Sequence, residues 1–158
     1  MEERYLYKAK RIDNGEWVIG NLITNVFFRQ GQSIPYILCP DKAEYDCFED
    51  FSEENGIFEV QPDTICQCTG LKDKNGKLIW ENDIVDRKER YPEIVKYKDG
   101  DWTIDYSYAC NMETGCGYCN LGFYVLERKC VEIIGNTFDN PELLENKIGG
   151  RSIHGESE

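Results

Sequence analysis

The chain has 158 residues, enough for one domain, or two small subdomains, to bury a core without a metal or disulfide staple. Thirty acidic residues against 18 basic ones give a net charge of −12, which repels phosphate backbones and anionic lipid and so speaks against direct nucleic-acid binding and membrane docking. With 41% hydrophobic and 13% aromatic residues the chain is too apolar to be disordered.

The N-terminus, MEERYLYKAKR, is charged from its second residue and has no apolar core segment. No window approaches the roughly 18 apolar residues of a membrane span. The expectation is a cytoplasmic protein with eight cysteines in a reducing compartment, as free thiols or metal ligands rather than disulfides.

The chain begins with a strand-like run over residues 5–10, then Asn14-Gly15, a dipeptide suited to the left-handed backbone of a tight hairpin turn. Residues 16–19, 22–29 and 36–39 read as strands. Residues 41–51 read as a helical turn, and Asn55-Gly56 as a turn before the strand-like 57–60. A second hairpin signal is Asn75-Gly76, between Leu71 and Trp80, followed by a strand over 83–87. The clearest is Asp99-Gly100: Val95 and Tyr97 alternate with polar residues before it, and Trp102, Ile104 and Tyr106 do so after it. Residues 122–126 and 131–134 read as the last strands. Asn140-Pro141-Glu142 opens one short helix, with a capping Asn and a Pro at the first helical position. Residues 147–158, rich in Gly and Ser, read as a disordered tail.

Short strands and frequent turns predict a mainly β protein of antiparallel hairpins. The organisation expected is an N-terminal β subdomain over 1–64, a C-terminal subdomain over 65–146 built as a small SH3-like barrel closed by the short helix, and the tail.

Candidate chemistry is sparse. Cys110, Cys116, Cys119 and Cys130 form C-x5-C-x2-C-x10-C, whose C-x2-C knuckle can aim two thiolates at a tetrahedral zinc ion; a second such pair is missing. Cys66 and Cys68 share one face of a strand, and ordinary buried cysteines are the commoner reading. A redox role for Cys116 and Cys119 lacks the helix start that lowers a thiol pKa. The single histidine, His154, falls in the tail, which leaves no Ser-His-Asp or Cys-His constellation. Carboxylate pairs such as Glu81 and Asp83 are unavoidable among 30 acids. Lys72, Lys74 and Lys77 beside Trp80 could grip a single strand of nucleic acid. Asp73, Glu81 and Asp83 lie among them, and a solvated turn is the better reading. Trp17, Trp80 and Trp102 flank the hairpin turns and mark a candidate interaction surface wherever they are exposed. No catalytic residue, metal or cofactor is expected.

Three segments stand out together: KRIDNGEWVIG over 10–20, CTGLKDKNGKLIWENDIV over 68–85 and EIIGNTFDNPELLE over 132–145. Their sequence, order and spacing resemble the YopX family of phage and prophage proteins over most of residues 4–145. Two positions depart from the family pattern. Cys68 stands where an aromatic is usual, and Asn82 where a glycine is usual, although Asn tolerates the left-handed backbone such a turn needs. Residues 107–121 are not typical of the family. The resemblance implies a mainly β fold, phage or prophage origin and self-association, and it brings no catalytic residue. The function expected is a non-enzymatic, homo-oligomeric module that binds a host or phage protein through an acidic β surface. The alternatives are a zinc-stabilised regulator built on the four cysteines, an acidic nucleic-acid mimic, and an enzyme whose site forms between subunits.

Overall fold

A computed structural model describes residues 3–39, 56–109 and 117–145. The helical turn expected over 41–51 and the expected tail over 147–158 lie outside the described residues. The fold is mainly β, in two antiparallel sheets. The chain divides into two compact units, one of residues 1–72 and 78–81, the other of residues 73–77 and 82–158.

The first unit holds β1 (Tyr7–Lys10), β2 (Trp17–Arg29), β3 (Gln32–Leu38), β4 (Ile57–Glu59), β5 (Cys66–Lys72) and β6 (Leu78–Trp80). They form one sheet in the order β4-β3-β2-β1-β5-β6. Its core is Ala9, Val18, Ile37, Cys39, Phe58 and Val60, all buried. β1 and β2 pair with Ala9 opposite Val18. Alternation then sends these two residues to the same side, so the small Ala9 leaves room for branched neighbours.

The second unit holds β7 (Asp83–Asp86), β8 (Glu93–Lys98), β9 (Asp101–Asp105), β10 (Tyr118–Asn120) and β11 (Glu132–Asn136), ordered β10-β9-β8-β7-β11. Ile84, Val85, Ile94, Val95, Ile104, Leu121 and Val131 are its buried apolar residues among those described. Asp99 and Gly100 both have positive φ, 54° and 88°, as a two-residue turn of type I′ demands. The short helix α1 (Glu142–Glu145) is present.

Two expectations fail. The SH3-like barrel does not form: among the described residues no pairing joins β10 to β11, and the sheet stays open. Closure needs tilted, staggered strands, while β10 has three residues and β7 four. The strand expected over 122–126 is a π-helix, Phe123–Arg128. The Asn120 side chain accepts the Phe123 N–H at 2.7 Å, and left-handed Lys129 (φ 50°) donates its N–H to the Tyr124 carbonyl. These local caps outweigh the strand preference of Phe-Tyr-Val.

Candidate functional site

Among the described residues of the first unit, β2 and β3 extend together as an arm. β1 pairs with β2 only over Trp17 to Gly20, and β4 pairs with β3 only over Tyr36 to Leu38. Toward the tip beyond these limits the two strands pair with each other, apart from the Pro35 carbonyl, which accepts the Val60 N–H at 3.1 Å. A bulge interrupts them between Ile23 and Phe27. There Asn25 is left-handed (φ 60°) and its N–H is taken by the Ser33 hydroxyl at 2.9 Å. Such bulges bend and re-aim a strand. Pairing resumes at Phe27 with Ile34, Phe28 with Ser33 and Arg29 with Gln32. Gln30 (φ 52°) and Gly31 (φ 81°) close the tip as a type I′ turn.

The side chains of the tip divide by face. Phe27 packs edge-on to Tyr36 with ring centroids 5.0 Å apart. On the other face Val26 is 58% exposed and Phe28 61%. Arg29 forms a fork with Glu59, at 3.2 and 3.1 Å. Burial, and then the Glu59 charge, raise the Tyr36 phenol above its ordinary value, so it stays neutral. Between Glu16 and Asp41 the only charged side chain is Arg29, in a chain where 30% of residues are charged. Charge and proline are the usual guards of an open strand edge, and the tip has Arg29 alone.

The three tryptophans fall in different surroundings. Trp80 is only 6% exposed. Lys8 lies between it and half-buried Trp17, 5.4 Å from the Trp80 ring and 5.2 Å from the Trp17 ring. Lys10 stands 5.4 Å from the Trp17 ring. Half-buried Trp102, in the second unit, meets exposed Tyr97 edge-on at 5.1 Å. Of the lysines singled out with Trp80, Lys72 pairs with Glu3 at 3.1 Å and Lys74 with Glu132 at 2.5 Å.

The segments that stand out in the sequence have structural work. Thr69 is buried in a bulge of β5, where its hydroxyl donates to the Ile79 carbonyl at 2.8 Å and accepts the Leu71 N–H at 3.1 Å. Asp73 is also buried. One carboxylate oxygen takes the N–H groups of Asn75 and Lys77, both at 2.9 Å, and the other takes that of Ile133 at 3.1 Å. Asn82 is left-handed (φ 63°), as the departure from glycine allows. Its N–H reaches the Val95 carbonyl at 2.8 Å, and its carbonyl receives the Thr137 N–H at 3.0 Å. The Asn136 side chain accepts from Phe138 and Asp139, both at 3.0 Å. Asn140 turns its oxygen back to the Asn136 N–H at 3.4 Å.

In the second unit an open cleft of about 260 Å³ is lined by Arg87, Glu89, Arg90, Tyr91, Glu93 and Tyr106. Arg87 and Glu93 form a buried bidentate pair, with Nε 2.5 Å from one carboxylate oxygen and Nη2 on the other. The guanidinium carbon lies 3.8 Å from the centre of the Tyr124 ring. Burial opposes the Arg87 charge, yet Glu93 holds it above its ordinary value. Burial also lifts the Glu93 carboxyl, against the pull of Arg87. These directions disagree on the state of the pair. The geometry favours the ionised one, because a neutral Glu93 would leave Arg87 charged and buried without a counter-ion. The Tyr108 hydroxyl donates to the Pro92 carbonyl at 2.7 Å. Burial, then Glu93 and Tyr91, push it up to about 12. Both of its neighbours hold it protonated near neutral pH, and Arg87 is committed to Glu93.

Cys119 and Cys130 are half-buried, and Cys110, Cys116 and His154 lie outside the described residues. Cys39, Cys66 and Cys68 are buried, Cys66 donating its thiol to the Thr64 carbonyl at 3.4 Å. No group of three or more ligating side chains occurs among the described residues. Sequence reasoning missed the arm and the Arg87–Glu93 pair. The arm had a signal in its near absence of charge. The pair had none, since its partners meet only once β7 and β8 are in register.

No curated protein matches the chain. The crystal structure of protein EF1440 from Enterococcus faecalis is similar, with a TM-score of 0.49 and 25% identity, covering 87% of this chain and 96% of that one. The family model described as YopX protein matches residues 7–145. That span takes in all three segments whose turns and clasps are described above, and the chain belongs to the YopX family.

Proposed function

We propose that this protein is a non-enzymatic accessory module of phage or prophage origin. It works in the host cytoplasm as a homo-oligomer that binds a host or phage protein. The observation that carries this reading is the outer face of the β2–β3 arm, where Val26 and Phe28 stand 58% and 61% exposed with only one charge nearby in sequence. Apolar side chains exposed on a hairpin can act as anchors, because interfaces draw most of their energy from a few desolvated aromatic or aliphatic groups. The net charge of −12 adds long-range attraction for a basic partner and speeds encounter more than it adds affinity.

The test is capture from host extract at low and moderate salt, with the full chain tagged at its C-terminus and Phe28→Thr as the comparison. The expected result is one stoichiometric protein, retained at moderate salt and reduced about tenfold or more by Phe28→Thr. A partner that Phe28→Thr leaves unchanged removes the arm from the reading. Capture that collapses with salt transfers the reading to acidic mimicry of nucleic acid.

A further inference from the structure

The cleft of the second unit carries charges that the fold itself does not consume. Its floor is the Arg87–Glu93 pair, whose side chains are 7% and 2% exposed. A guanidinium has five N–H groups. The pair uses those of Nε and Nη2, and among the described residues Tyr124 is the only other partner of Arg87. N–H groups of Arg87 therefore remain to serve a ligand, and the little of this side chain that is accessible lines the cleft. A buried ion pair adds little to stability, but it makes a stiff, preorganised floor.

The rim is different. Glu89 and Arg90 are exposed, and among the described residues neither makes an ion pair, not even with each other. Arg90 is held instead over the Tyr91 ring, 5.1 Å from its centre. Burial lifts the Glu93 carboxyl, Arg87 pulls it down, and the charge of Glu89 lifts it again, so the two carboxylates lie within each other's field. A cation set between them relieves that repulsion, and an anion is drawn to Arg90 and the spare N–H groups of Arg87. The lining charges, two arginines and two glutamates, sum to zero in a chain of −12. A ligand with a single charge meets its own sign on the wall, whereas a ligand with both charges finds a partner for each. Tyr91 and Tyr106 complete the wall with rings that suit another aromatic ring. The space, about 260 Å³, is that of a small ligand rather than of a large cofactor.

We infer that this cleft binds a small aromatic zwitterion of the amino-acid class, its ammonium between Glu89 and Glu93, its carboxylate on Arg90 and Arg87, and its ring against Tyr91 and Tyr106. The site lies within the second unit alone and is independent of the arm.

The probe is L-phenylalanine, titrated to about 10 mM into the full chain and followed by amide chemical shifts. Two analogues each lack one charge: 3-phenylpropionate has no ammonium, and 2-phenylethylamine has no carboxylate. The expected result is saturable shifts at residues 87–91, 93 and 106 with L-phenylalanine, and at least about tenfold weaker binding of each analogue. Glu89→Gln narrows the advantage of L-phenylalanine over 3-phenylpropionate by about threefold or more, and Arg90→Gln does the same for its advantage over 2-phenylethylamine. Both side chains are exposed, so neither substitution disturbs the core. No saturable shift, shifts confined to other residues, or an analogue that binds as tightly as L-phenylalanine overturns the inference. So does a variant that leaves its preference unchanged. The comparison of the three ligands needs no variant, so it decides the matter on the wild-type chain.

Discussion

The carboxylate of Asp73 supplies acceptors that the backbone of its turn cannot. Asn75, Lys77 and Ile133 all donate to it, and its own N–H closes the turn on the Lys77 carbonyl at 2.8 Å. Burial works against its ionisation, but the N–H groups of Ile133, Lys77 and Asn75 and the Lys77 charge hold the carboxyl below its ordinary value. A group depressed in the folded state adds stability that is complete above the unfolded value, about 3.9, and is lost as pH falls through the folded one. Asp73→Ala leaves the N–H groups of Asn75, Lys77 and Ile133 without their charged acceptor and is expected to cost roughly 1–3 kcal/mol in urea unfolding at neutral pH. The gap between wild type and variant narrows below about pH 4. A gap that does not change with pH would show that the carboxylate charge is not what the turn needs. Cys68, the other departure from the family pattern, is buried in β5, where a small thiol simply packs as an apolar side chain.

At the scale of the element, strands and turns are held by different kinds of constraint. Gly20 sits where β2 leaves β1 and continues along β3. A Cβ there would overlap the Leu38 carbonyl oxygen and lie 2.6 Å from its carbon. Backbone cannot swing aside as a side-chain tip can, so Gly20→Ala forces a shift between β2 and β3. It is expected to cost the upper end of the roughly 1–3 kcal/mol typical of overpacking, measured by thermal unfolding. An unchanged midpoint would mean that the strands can slide. Much of this architecture was legible in the sequence. Asp99-Gly100 announces its hairpin because only a few residues accept two left-handed positions in succession. Gln30-Gly31 makes the same turn without announcing it, since glutamine is an ordinary strand or helix residue. The π-helix hid behind a Phe-Tyr-Val-Leu run that favours a strand, because its cause is one Asn120 side chain and one left-handed lysine. The barrel failed for a related reason: strand existence can be read from alternation, but strand length, which closure requires, depends on where turns and bulges end the pairing.

Across the whole molecule the charge of −12 sets the sign of the salt response. Two copies that meet repel through their acidic surfaces, and salt screens that repulsion within about 10 Å at 0.1 M. Self-association is therefore expected to tighten between about 50 and 500 mM salt, read by sedimentation at fixed protein concentration. Weakening over that range would place charged groups in the contact. The division of the chain carries a different consequence. The chain passes between the two units at residues 72/73, 77/78 and 81/82. Within the second unit the Lys74 N–H reaches the Val131 carbonyl at 2.9 Å, and Asp73 receives Ile133. A fragment cut at residue 82 would therefore begin without the five residues that cap its last strand. Gene fusions and recombination that exchange one unit for another must keep the excursion 73–77 with the unit it completes, so inheritance of the two halves is interleaved rather than modular.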